Sequence, residues 1–96
     1  MMELSAFQDT IRQTFLDRDR ARGLDGTFRW MVEEVGELAQ ALRGGNHAEL
    51  THEVADVLAW LVSVANVAGV DVEEAAARYS KGCPTCGSAP CACPPA

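Results

Sequence analysis

Two groups of residues in this 96-residue chain have the types and spacing to do chemistry. The first is acidic: Glu33-Glu34-Val35-Gly36-Glu37, answered further along by Glu53-Val54-Ala55-Asp56. Residues three apart on a helix lie about 60° apart. Glu34 and Glu37 therefore share one face, and Glu53 and Asp56 share another. Like charges at that spacing repel by roughly a few tenths of a kcal/mol. Two such pairs inside apolar, helix-patterned segments call for a shared cation. Carboxylate oxygens select Mg2+ or Mn2+ over zinc, which prefers His and Cys. Magnesium is commonly shared with substrate phosphates, whose charge it neutralises and whose geometry it orients. A carboxylate left free beside it can act as general base. The plain alternative is a set of solvated helix charges. A single pair would favour that alternative; a second pair on a neighbouring helix weighs against it.

The second group is the cysteines, all four of which lie in Cys83-Pro84-Thr85-Cys86-Gly87 and Cys91-Ala92-Cys93. The first half resembles the CPxCG knuckle of zinc ribbons and rubredoxins, whose turn aims backbone N–H groups at the thiolates. The Cys-x-Cys half, tighter than a usual second knuckle, could complete a tetrahedral four-thiolate site for Zn2+, or less commonly Fe. Free thiols in a flexible tail and a redox or intersubunit disulfide are the competing readings. Pro90, Pro94 and Pro95 exclude a helix here.

The elements that must position these groups are helical. Leu4, Phe7, Ile11 and Phe15 recur at helical spacing, predicting a first helix over 4–22 with Ser5 as a cap and Gly23 as its stop. Arg18, Arg20 and Arg22 at its end read as solvated charges or, for one or two of them, as phosphate contacts. A second helix is predicted over 27–43, capped by Asp25 or Thr27. Its face holds Thr27, Trp30, Glu34, Glu37, Leu38 and Ala41, so apolar residues flank the carboxylates. Gly44-Gly45-Asn46 ends it. A third, 47–68, lines up Glu53, Asp56, Trp60, Ser63 and Val67, with His52 beside them as a surface histidine more than a ligand. Asp71-Val72-Glu73-Glu74 has the form of a capping box opening a short fourth helix over 72–81. No strand-like alternation and no internal repeat is present. The fold class is all-α: a bundle of three main helices and a short fourth, completed by oligomerisation, over residues 1–82, with an irregular Cys-rich tail over 83–96.

The totals agree. Ninety-six residues make one small domain, 48% apolar but with few aromatics, which suits helix packing. A net charge of −6 argues against a nucleic-acid partner and is compatible with divalent cations. No run of eighteen apolar residues occurs, and the N-terminus lacks a basic segment followed by an apolar one. The expectation is a soluble, cytoplasmic protein with no membrane partner.

The segments Trp30 to Ala39, Glu53 to Leu58 and Gly69 to Ala75 together resemble the MazG-like nucleotide pyrophosphohydrolases, whose signature is EExxE followed at variable distance by ExxD. The resemblance covers roughly residues 24–81. It implies a helical domain assembling as a homodimer or homotetramer. It also implies Mg2+-dependent cleavage of a nucleoside triphosphate between the α and β phosphates, giving the monophosphate and pyrophosphate. Carried over by position, Glu34, Glu37, Glu53 and Asp56 would ligate the metal. Glu33 and Glu34 would be the catalytic acids, Glu33 as a further ligand or as the base. Asn66 would contact the nucleotide, Trp30 and Trp60 flank the carboxylates where they could stack on a base, and Arg78 and Lys81 remain for phosphates. Relatives commonly continue with further basic and amide residues where this chain turns into its cysteines. Arg12, Arg18 or a neighbouring subunit could supply what is missing. The rival readings are a noncatalytic helical interaction module with a zinc-binding tail and, less well supported, a regulator that senses cations through the acidic cluster.

Overall fold

The computed structural model describes residues 2–95. It contains helices α1 (Leu4–Arg22), α2 (Leu24–Gly44), α3 (His47–Ala68) and α4 (Val72–Ala76), then a single 3-10 turn (Ala77–Tyr79). No strand occurs among the described residues. The all-α class and the three long helices are as expected, and α3 lies at the centre, packed on both α1 and α2.

The joint between α1 and α2 differs from expectation. Leu24 to Gly26 do not form a connection; Gly23 alone joins the helices, and α2 starts three residues early. Gly23 has φ +88°, a conformation that a side chain disfavours. Its N–H closes α1 on Asp19 O at 2.9 Å, and its carbonyl opens α2 by accepting from Thr27 N–H at 3.0 Å. Thr27 is therefore no cap. It is fully buried, and its hydroxyl donates to Gly23 O at 2.8 Å. Asp25 falls in the first turn of α2, where an acid suits the helix dipole. Likewise Glu3, not Ser5, precedes α1, and it makes no side-chain cap.

At the next joint Asn46 caps α3, its Oδ1 accepting from Glu49 N–H at 2.9 Å. Asp71 caps α4 as its sequence suggests, accepting from Glu74 N–H at 3.0 Å. The fourth helix nevertheless stops at Ala76 rather than reaching residue 81. Neither α4 nor the turn after it buries a residue, and a short helix without packing has little to sustain it.

The core is small: Ile11, Ala41 and Val62 are its buried apolar residues, joined by the polar Gln8, Asp19, Thr27 and Ser63. The inner side of α1 therefore departs from the apolar stripe. Leu4 and Phe15 are exposed, while Gln8 and Asp19 go inside. Gln8 does so because the junction of α3 and α4 presents unpaired polar groups to it. Its Nε2 donates to Asn66 Oδ1 (2.9 Å) and to Val70 O (2.8 Å), and its Oε1 accepts from Val72 N–H (2.8 Å). One side chain thus ties α1 to the far end of the fold.

Much apolar surface stays uncovered. Phe28, Val32, Val35 and Leu42 on α2, with Val54, Leu58 and Leu61 on α3, are each at least 41% exposed. They recur at three, four and seven residues, so each set forms a stripe along its helix. By length and composition alone α3 could also cross a membrane, but it carries Glu53 and Asp56 and packs between two other helices.

Candidate metal centre

The tight Gly45-Asn46 turn sets α2 and α3 side by side, with Ala41 buried in the α2 face that carries the carboxylates. That places Glu34 and Glu37, one turn apart, opposite Glu53. The three carboxylates offer oxygens within 4.8 Å of one another. Glu53, Asp56 and His52 form a second such triad, so Glu53 is the residue common to both. His52 Nε2 lies 3.2 Å from Asp56 Oδ2 on the exposed edge.

The electrostatics are those of a site lacking positive charge. Glu34 Oε2 and Glu53 Oε2 are buried and have no hydrogen-bond partner. Burial, then a hydrogen bond with Glu37, then the charges of Glu37, Asp56 and Glu53 push the Glu34 carboxyl up to about 7. A buried carboxylate oxygen must be paired, protonated or bound to a metal. An all-carboxylate donor set, half-buried and open on one side, fits Mg2+ or Mn2+.

A cleft of about 270 Å3 opens on the Asp56 side, lined by Phe15, Arg18, Asp19, Arg22, Trp60 and Ser63 among others. Trp30 and Trp60 stack on each other, ring centroids 6.0 Å apart and planes within 16°. The Arg22 guanidinium sits 4.9 Å over the Trp60 ring and is held there by Asp19, whose Oδ1 accepts from Arg22 Nη1 at 2.8 Å. Arg22 is thus no solvated helix end. On the opposite side a wider groove of about 640 Å3 runs past Glu37, Gly45, Glu49 and Glu53.

Several residues singled out from sequence lie elsewhere. Glu33 is exposed and is not among the converging carboxylates. Asn66 stands ten residues beyond Asp56 on α3, about 15 Å along the axis, where its Oδ1 accepts from Gln8. Arg78 and Lys81 border the tail and not the carboxylates. Arg12 pairs with Asp9 at 2.6 Å. The cysteines converge on one another in a cluster of their own.

Sequence reasoning missed Asp19 and Gln8. Asp19 had a faint signal: an acid three residues before Arg22, at the spacing of a helical ion pair. Gln8, bounded by Phe7 and Ile11, lies within the apolar stripe, but nothing local shows that its partners are some sixty residues away.

No curated protein matches the chain. A family model does match, over residues 22–84, a span that begins at the end of α1 and holds both carboxylate pairs, both tryptophans and the short fourth helix. With two acidic motifs brought together between paired helices, the chain belongs to the family of the MazG nucleotide pyrophosphohydrolase domain.

Proposed function

We propose that the chain hydrolyses nucleoside triphosphates, ribo- or deoxyribo-, adding water across the bond between the α and β phosphates and releasing the monophosphate and pyrophosphate. The observation that carries this reading is the convergence of Glu34, Glu37 and Glu53 within 4.8 Å, two of them with buried, unpartnered oxygens, next to an aromatic and cationic cleft. Glu34, Glu37, Glu53 and Asp56 would hold Mg2+ or Mn2+, which supplies neutralisation of polyphosphate charge and Lewis acidity. The chain's own residues do the rest. Arg18 and Arg22 share the cleft with Asp56 and offer donors to phosphate oxygens, the part that Arg78 and Lys81 do not play within one chain. Trp30 is 46% exposed and offers a face to a base, while Phe15 and Trp60 wall the cleft against water. A carboxylate of the cluster left free of the metal would take up the proton that the attacking water loses.

Assembly into a dimer or tetramer belongs to the same reading. What supports it is the pair of uncovered stripes on α2 and α3, beyond what a small monomer normally leaves in water. The test is pyrophosphate release from a nucleotide panel with Mg2+ or Mn2+, the wild type against Glu37→Ala and Asp56→Ala. Release by the wild type and its loss in both variants is the expected result. A folded chain that releases none from any nucleotide would sink the proposal, and light scattering that gives a monomer at micromolar concentration would contradict the assembly.

A further inference from the structure

We propose that the tail binds one zinc ion through Cys83, Cys86, Cys91 and Cys93, as a closed structural site. It stands apart from the hydrolase reading, and three of its four ligands lie beyond the family match, which stops at Pro84.

The spacing of the sulfurs suits a tetrahedral site. All four Sγ atoms lie within 4.8 Å of one another, with Cys83 and Cys93 at 3.8 Å and Cys86 and Cys91 at 4.0 Å. Zn–S bonds of about 2.3 Å put the corners of a tetrahedron about 3.8 Å apart. All four cysteines are free, so neither close pair is a disulfide. Backbone donors already point at sulfur: Ala92 N–H to Cys86 Sγ at 3.3 Å and Cys93 N–H to Cys91 Sγ at 3.4 Å. The first of these favours the Cys86 thiolate over the thiol.

A second observation concerns what holds the segment in shape. From Ser80 to Pro95 no residue is buried, so no apolar core orders it. Its backbone closes through Cys83 N–H to Ser88 O (3.0 Å) and Gly87 N–H to Cys83 O (2.7 Å). Gly82 shows how tightly it folds back: a Cβ there would stand 2.7 Å from Ser88 O, and φ is +100°. A compact, coreless loop of this kind is what a metal stabilises in small metal-ordered domains.

With all four sulfurs as thiolates, the zinc-bound centre would carry a net charge of −2. Arg78 and Lys81 line the surface hollow that holds Cys83. They are placed to offset that charge, a role the carboxylates do not ask of them. Zinc exceeds ferrous iron in affinity for a common ligand set. With four thiolates it has no position open for substrate, so the site is architectural.

The test is metal analysis of the full chain, purified under reducing conditions, together with a cobalt(II) titration. The expected result is about one zinc per chain, falling at least about fivefold in Cys86→Ser and retained in the Glu37→Ala/Asp56→Ala double variant. Cobalt should saturate at about one equivalent, with the charge-transfer and visible bands of a tetrahedral tetrathiolate. Because the titration uses the wild type, it decides the matter even where Cys86→Ser fails to fold. Zinc below about 0.2 equivalents with no thiolate–cobalt spectrum would overturn the proposal. So would two disulfides in the reduced-buffer preparation, or zinc unchanged in Cys86→Ser. Iron in place of zinc would overturn the choice of ion.

Discussion

The acidic centre and the cysteine tail are both clusters of potential ligands, yet they stand in opposite relations to the fold. Glu34, Glu37, Glu53 and Asp56 are delivered by helices that pack for other reasons, and their mutual repulsion is a load that packing carries. No residue of the cysteine segment is buried, and two backbone hydrogen bonds close it around four converging sulfurs. In the first case structure precedes the ligand and leaves it room to exchange. In the second the proposed zinc would itself be the core. A site meant to turn over needs the first arrangement; one meant to hold needs the second.

That contrast can be broken at several points. The largest effect is expected from Glu53→Ala, which removes the residue shared by both ligand triads. Pyrophosphate release should fall about a thousandfold or more, on the scale of several kcal/mol of charge stabilisation, while circular dichroism keeps the helical signal. Loss of helicity would show that the acidic centre also builds its own fold.

Gln8→Ala attacks the packing that delivers the ligands. It strands Asn66, Val70 O and the Val72 N–H, so urea unfolding should show a loss of about 2–3 kcal/mol. A loss under about 0.5 kcal/mol would mean that the α1 attachment bears little of the load.

Chelation separates the two regions. EDTA should accelerate alkylation of the cysteines by iodoacetamide about tenfold or more, yet leave the melting of the helices within about 2 °C in a buffer already free of magnesium. Equal alkylation with and without chelator would remove the distinction.

The smallest effect is a pH dependence of the metal-free chain. Glu34 holds its proton up to about pH 7 when folded but releases it near 4.5 when unfolded. Between those values the folded state binds more protons, so stability falls as pH rises and the loss is complete above about 7. The melting temperature should drop between about pH 5 and about pH 8, and Glu34→Gln should flatten the slope. A slope of opposite sign would show that the carboxyl is not held protonated by its neighbours.

The extent to which these features are legible in sequence follows from the range of the physics involved. The spans of α1 and α3, the Asp71 cap and the shared faces of Glu34/Glu37 and Glu53/Asp56 depend on neighbours within four residues, and the chain spells them out. The Gly23 joint escapes such a reading because Leu24-Asp25-Gly26 looks like a loop by composition; the hydrogen bonds of Asp19 and Thr27 to Gly23 override that preference. Burial of Gln8 and the placing of Arg22 over Trp60 depend on partners from other helices, and no local pattern announces them; Asp19 offers only its spacing of three residues to Arg22. Position along the chain assigns Arg78 and Lys81 to phosphates, whereas the early stop of α4 leaves them beside the cysteines.

The one-residue joint also bears on timing. Gly23 is bonded to Asp19 behind it and Thr27 ahead of it, so the α1 wall of the Trp60 cleft is tied to the start of α2 by two backbone hydrogen bonds. A ligand that stacked on the Trp60 face would displace Arg22 from the indole, a side-chain motion and not the micro- to millisecond closure of a hinged domain. Association followed by tryptophan fluorescence should accordingly be a single phase whose rate rises linearly with ligand concentration, without the plateau that a slow closing step imposes.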